Sequence, residues 1–104
     1  MASSLTDGLT LAQRDQFRVL RQRFVVGLPA RWLELQNAPS WQARQSALHR
    51  LAGSAGSYGF ERLQQASRAA ELLPTDTDSD TLARALSAVA AAMAGAREEA
   101  TGSV

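Results

Sequence analysis

A single histidine, His49, opens the stretch HRLAGSAGSYGF, and Gly53, Gly56 and Gly59 follow at intervals of three. Imidazole is the side chain most often used for nucleophilic and proton-transfer work near neutral pH. The surrounding residues read as helix, where an interior glycine costs about 1 kcal/mol relative to alanine. Three of them need a reason.

At about 100° per residue, Leu48, Leu51, Ala55 and Tyr58 set the inner face of this helix, and His49 projects well away from its centre. Gln42, Gln45, Ser46, Ala52, Gly53 and Gly56 share its side, all small or uncharged. Small residues three, four and seven positions after His49 clear the space beside the ring, so a bulky partner can bring its own reactive group against Nε2. Close helix packing explains the same residues equally well, because Ala52 with Gly56 and Gly53 with Ser57 are small pairs four apart. Gly59 needs neither reading, being placed to end the helix as a left-handed C-cap.

Other site chemistries lack parts. A phosphate-binding loop of the Walker type needs a lysine, and the chain has none. A dinucleotide fingerprint needs G-x-G-x-x-G after a strand, but Ala55 stands two after Gly53 and helix precedes it. One histidine without cysteines does not make a typical zinc site, so no metal is expected. Ser46 and Ser54 have no nucleophile elbow, and Asp76, Asp78 and Asp80 sit in a connector that turn and capping roles explain.

Four helical segments must position His49. Thr10 and Gln13 have capping-box spacing, which starts a first helix. Its apolar series Phe17, Leu20, Phe24, Leu28, Trp32 and Leu35 keeps one face buried, with a kink expected near Gly27 because Pro29 removes a backbone hydrogen bond. Ser40 is the expected N-cap of the second helix. Leu63, Ala66, Ala70 and Leu73 mark a shorter third helix. After Pro74, Ser79 or Asp80 is expected to cap a fourth, marked by Leu82, Leu86, Val89 and Met93. These elements predict a single all-α domain over residues 1–104, an antiparallel up-and-down four-helix bundle with its first helix kinked near Pro29. The ordered bundle is expected over about residues 10–97, with frayed tails for want of apolar anchors.

Composition narrows the functional classes. The 104 residues are 45% hydrophobic but only 6% aromatic, so aliphatic and alanine packing supplies the core. All eleven basic residues are arginine and nearly balance ten acids, for a net charge of +1. Nucleic-acid binding is therefore not expected. Neither a signal-peptide pattern in MASSLTDGLT nor a membrane-length apolar run is present, AVAAAMA being the longest near-continuous one. With no cysteine, the expectation is a soluble, monomeric, cytoplasmic protein.

Residues 49–71, HRLAGSAGSYGFERLQQASRAAE, closely resemble the signature of histidine phosphotransfer (HPt) domains, the four-helix carriers of two-component phosphorelays and of the chemotaxis kinase's amino-terminal domain. The family pattern runs His-x-Leu-Lys-Gly, then small residues to a glycine, then Leu and finally Glu. The matching positions are His49, Leu51, Gly53, Gly59, Leu63 and Glu71.

The resemblance implies that His49 takes a phosphoryl group from a receiver aspartate or a histidine kinase and passes it to a response-regulator receiver. Histidine suits the task, since its reference pKa of about 6.5 leaves a neutral imidazole with one free nitrogen at neutral pH. By similarity to the chemotaxis domain, Glu71 accepts a hydrogen bond from Nδ1–H and leaves Nε2 nucleophilic; the plain alternative is a solvated helix glutamate. Gln42, Gln45, Ser46, Arg50, Ala52, Gly53, Gly56, Ser57 and Arg68 are then the expected docking surface. The partner, a receiver or hybrid kinase, is expected to bring Mg²⁺, and the carrier needs no cofactor of its own. One departure stands out. The family usually has lysine where this chain has Ala52, so Arg50 or Arg68 is a candidate substitute cation, and a docking module without phosphotransfer is the alternative function.

Overall fold

In the computed structural model, which describes residues 10–102, five helical segments follow one another: α1 (Leu11–Val26), α2 (Leu28–Gln36), α3 (Trp41–Ser57), α4 (Glu61–Glu71) and α5 (Ser79–Gly102). No strand occurs among the described residues.

Local chemistry sets most of the boundaries. Thr10 Oγ1 accepts from the Gln13 N–H at 3.1 Å while Gln13 Oε1 accepts from the Thr10 N–H at 2.8 Å, a reciprocal capping box. The expected kink is a break at Gly27, whose N–H still bonds back to the Arg23 and Phe24 carbonyls, at 3.2 and 3.1 Å. Pro29 falls in the first turn of α2, where a missing N–H costs nothing. Thus α1 and α2 act as one bent first helix, with Phe24, Leu28 and Leu35 buried on both sides of the bend. Leu20, expected on that face, is exposed instead, because α1 packs chiefly along α5 and only part of the apolar stripe is covered.

Ser40 Oγ accepts from the Ala43 N–H at 3.1 Å and starts α3. At its other end the Phe60 N–H bonds the Ala55 carbonyl at 2.8 Å and the Gly59 N–H bonds Gly56 at 3.2 Å. This is the Schellman closure, and it requires the left-handed φ of 80° at Gly59. Two boundaries differ from expectation. Asp78, not Ser79 or Asp80, caps α5: its carboxylate accepts from the Thr81 N–H at 3.3 Å. Helix α5 does not stop near Arg97 but runs on to Gly102 and buries Ala96 and Ala100, four residues apart. Expected fraying of the first eight residues lies outside the described part.

The segments close into a four-helix bundle. The bent α1–α2 helix packs on α5 and α3, α3 on α4, and α4 on α5. Phe60, Leu63, Leu48, Leu51, Leu28 and Val89 fill the centre. At one corner Phe24 lies 5.6 Å from Phe60 and 5.4 Å from Tyr58, ring centre to ring centre. Arg21 Nε donates to the Tyr58 carbonyl at 3.0 Å, and its guanidinium carbon sits 4.4 Å from the Phe60 ring centre. Helix α1 is thereby fixed to the turn that presents α3 against α4. No described helix is long and apolar enough to cross a membrane.

Candidate functional site

His49 stands at the middle of α3 with its side chain 74% exposed. Its Nδ1 is 2.8 Å from Oε2 of Glu71, the last residue of the antiparallel α4. Glu71 is much less exposed, at 21%, so the carboxylate is held between the helices while the ring reaches outward. An ionised carboxylate only accepts hydrogen bonds, so against one the proton between them would sit on Nδ1, and a neutral ring would carry its lone pair on Nε2.

Two shallow grooves meet at this ring. One lies toward α4 and is lined by Gln45, Ser46, Glu71 and Leu72; the other lies toward α2 and is lined by Arg31, Glu34, Gly53, Ser54 and Ser57. Arg50 lines both. Its guanidinium is engaged with Glu34, at 2.6 Å, in a pair that is more than half exposed on each side. Such a pair is weakly held and easily exchanged. Arg68 is exposed one turn before Glu71, lines neither groove and makes no ion pair among the described residues.

The glycines divide by function. A β-carbon at Gly53 would meet nothing within 4 Å, so this position is open ground beside His49. At Gly56 the same atom would fall 2.5 Å from Gln64 Nε2, so this glycine admits an α4 side chain. Ala52 departs from the expected docking surface: it is fully buried, because α3 is covered on two sides, by the core and by α4. Its methyl offers nothing to a partner. Gln42, Ser46 and Ser57 are exposed, and the Ser57 hydroxyl donates back to the Gly53 carbonyl at 3.0 Å.

Leu72, Arg31, Glu34 and Ser54 join the site without having been expected there. Leu72 carried a signal: an apolar residue off the Leu63, Ala66, Ala70 periodicity at a helix end, now 73% exposed beside Glu71. The α2 residues carried none, since only packing brings them near. Among the described residues no group of three or more histidines or acids could hold a metal.

A family model, Hpt domain, matches residues 19–99. Comparison with curated proteins and with solved structures gives no match.

Proposed function

We propose that this chain, which belongs to the Hpt domain family, is a phosphocarrier in a two-component phosphorelay, with His49 as the residue that bears the phosphoryl group. The observation that carries this reading is the exposed imidazole whose Nδ1 is engaged by Glu71 at 2.8 Å. The Nε2 lone pair attacks phosphorus, the Nε2–P bond forms, and the bond to the donor oxygen breaks. When the donor is a receiver's aspartyl phosphate, its carboxylate departs with the electron pair. The positive charge that arises on the ring is met by the Glu71 carboxylate, and no proton needs to leave. Transfer onward to a second receiver aspartate reverses these events.

This chain's other residues serve access and charge. Gly53 keeps a partner's backbone and side chains from colliding with α3 beside the ring. Arg50, released from Glu34, is the cation best placed to meet the transferred group, and it takes the part a lysine plays elsewhere in the family. Mg²⁺ belongs to the acidic pocket of a receiver. One imidazole and one carboxylate do not offer the oxygen set that ion requires.

The alternative is an Hpt-fold docking module that binds a receiver without phosphotransfer, and the buried Ala52 in the lysine position is its support. Incubation with phosphorylated receiver domains separates the two. Acid-labile label on the wild type, absent from His49→Gln, is expected of a carrier; receiver binding without label, equal in both proteins, marks the docking module.

A further inference from the structure

Helix α3 grips Glu71 twice. Gln45 and His49 are four residues apart and so lie on one face, one turn from each other. The His49 ring meets the Glu71 carboxylate, while Gln45 Nε2 donates to the Glu71 backbone carbonyl at 3.2 Å.

That carbonyl is one of the last four of α4, which have no partner within the helix. A glycine in left-handed conformation commonly closes such an end, as Gly59 closes α3, but α4 has none: Gly59 is the only described residue with positive φ. The chain leaves α4 through Leu72 and Leu73, whose N–H groups bond to Arg68 and Ala70. Nothing in that exit ties down the Glu71 carbonyl. Gln45 supplies the missing cap from the neighbouring helix and does so at the residue whose side chain orients the imidazole.

We infer that Gln45 is a positioning residue: by holding the Glu71 main chain it holds the carboxylate at Nδ1 and keeps the imidazole in the tautomer with Nε2 free. A docking role for Gln45 remains compatible, since it is half-buried and lines the α4-side groove. The importance of the tautomer rests on the phosphocarrier reading, but the tautomer itself does not.

The test is nitrogen NMR of ¹⁵N-histidine-labelled, unphosphorylated protein at a pH where the ring is neutral. There is one histidine, so both ring signals belong to His49. In the wild type the Nδ1–H tautomer should dominate. In Gln45→Leu, which keeps bulk but loses the donor, the tautomer ratio should fall about fivefold, the equivalent of one ordinary hydrogen bond. Gln45→Glu, of the same shape but with an acceptor facing the carbonyl, should fall at least as far. Folding of each variant is checked by its helical circular dichroism. Ring signals unchanged from wild type in both folded variants overturn the inference, even if their melting temperatures drop. Because no phosphate is involved, a failure here is distinct from a failure of phosphotransfer.

Discussion

Gly56 of α3 lies under the side chain of Gln64 of α4, so closely that a β-carbon at position 56 would come within 2.5 Å of Gln64 Nε2, whereas Gly53, three residues earlier, faces open space. Two glycines that look alike in the sequence therefore have opposite surroundings. Gly53→Ala is expected to raise stability by roughly 0.5–1 kcal/mol, through lower unfolded-state entropy and better helix propensity without a clash. Gly56→Ala should gain less, because the Gln64 amide must swing aside. Urea unfolding midpoints at constant slope check the order. Gly53→Leu should fold as well but weaken receiver engagement, since its side chain fills the ground beside His49.

Gly59 gives the reverse outcome. Its φ of 80° is closed to most side chains, and Gly59→Ala should lose about 1–2 kcal/mol. Thermal and urea unfolding measure it. The loss should appear without a change in the phosphotransfer step itself, because Gly59 lies nearly three helical turns beyond the ring.

Glu71→Ala is expected to slow phosphoryl uptake about fivefold, the worth of a charge-assisted hydrogen bond discounted for an exposed ring. Single-turnover transfer from a phosphorylated receiver reads this directly. The fold should survive, since the Glu71 carboxylate bonds to the exposed His49 ring and Gln45 still binds the Glu71 carbonyl.

Arg50 and Glu34 should act in opposite directions. Arg50→Gln removes the cation and lowers the transfer rate; Glu34→Gln frees the cation and raises it. Both effects should stay within about fivefold, as befits exposed charges, and shrink in high salt. Transfer rates at two ionic strengths check both the signs and the screening.

Much of this was legible because it is local. The Thr10–Gln13 box, the Ser40 cap and the Gly59 closure each depend on residues within a turn of one another, so their types and spacing suffice. The bend at Gly27 follows from Pro29 in the same way. The motif around His49 singled out His49 and Glu71, which the fold brings to 2.8 Å of each other. What escaped depended on how two helices register. Ala52 looked accessible because a single inner face was assigned to α3, yet that helix is covered by both the core and α4 and buries Ala47, Leu48, Leu51, Ala52 and Ala55. The bonds from Gln45 to Glu71 and from Arg50 to Glu34 join residues 26 and 16 positions apart, and no periodicity within one helix discloses them. At Asp78 several capping residues stood in a row, and only the bond to Thr81 selects one. At the C-terminus, small alanines hid a buried edge that larger residues would have announced.

The most direct measurement is transfer from a phosphorylated receiver domain to ¹⁵N-histidine-labelled protein, followed by combined phosphorus and nitrogen NMR. A phosphocarrier built as described should gain one acid-labile phosphoryl group, bonded to Nε2 of His49, while Nδ1 keeps its proton beside Glu71; His49→Gln should gain none. Label on Nδ1, label retained by His49→Gln, or tight receiver binding with no transfer to the wild type would contradict it.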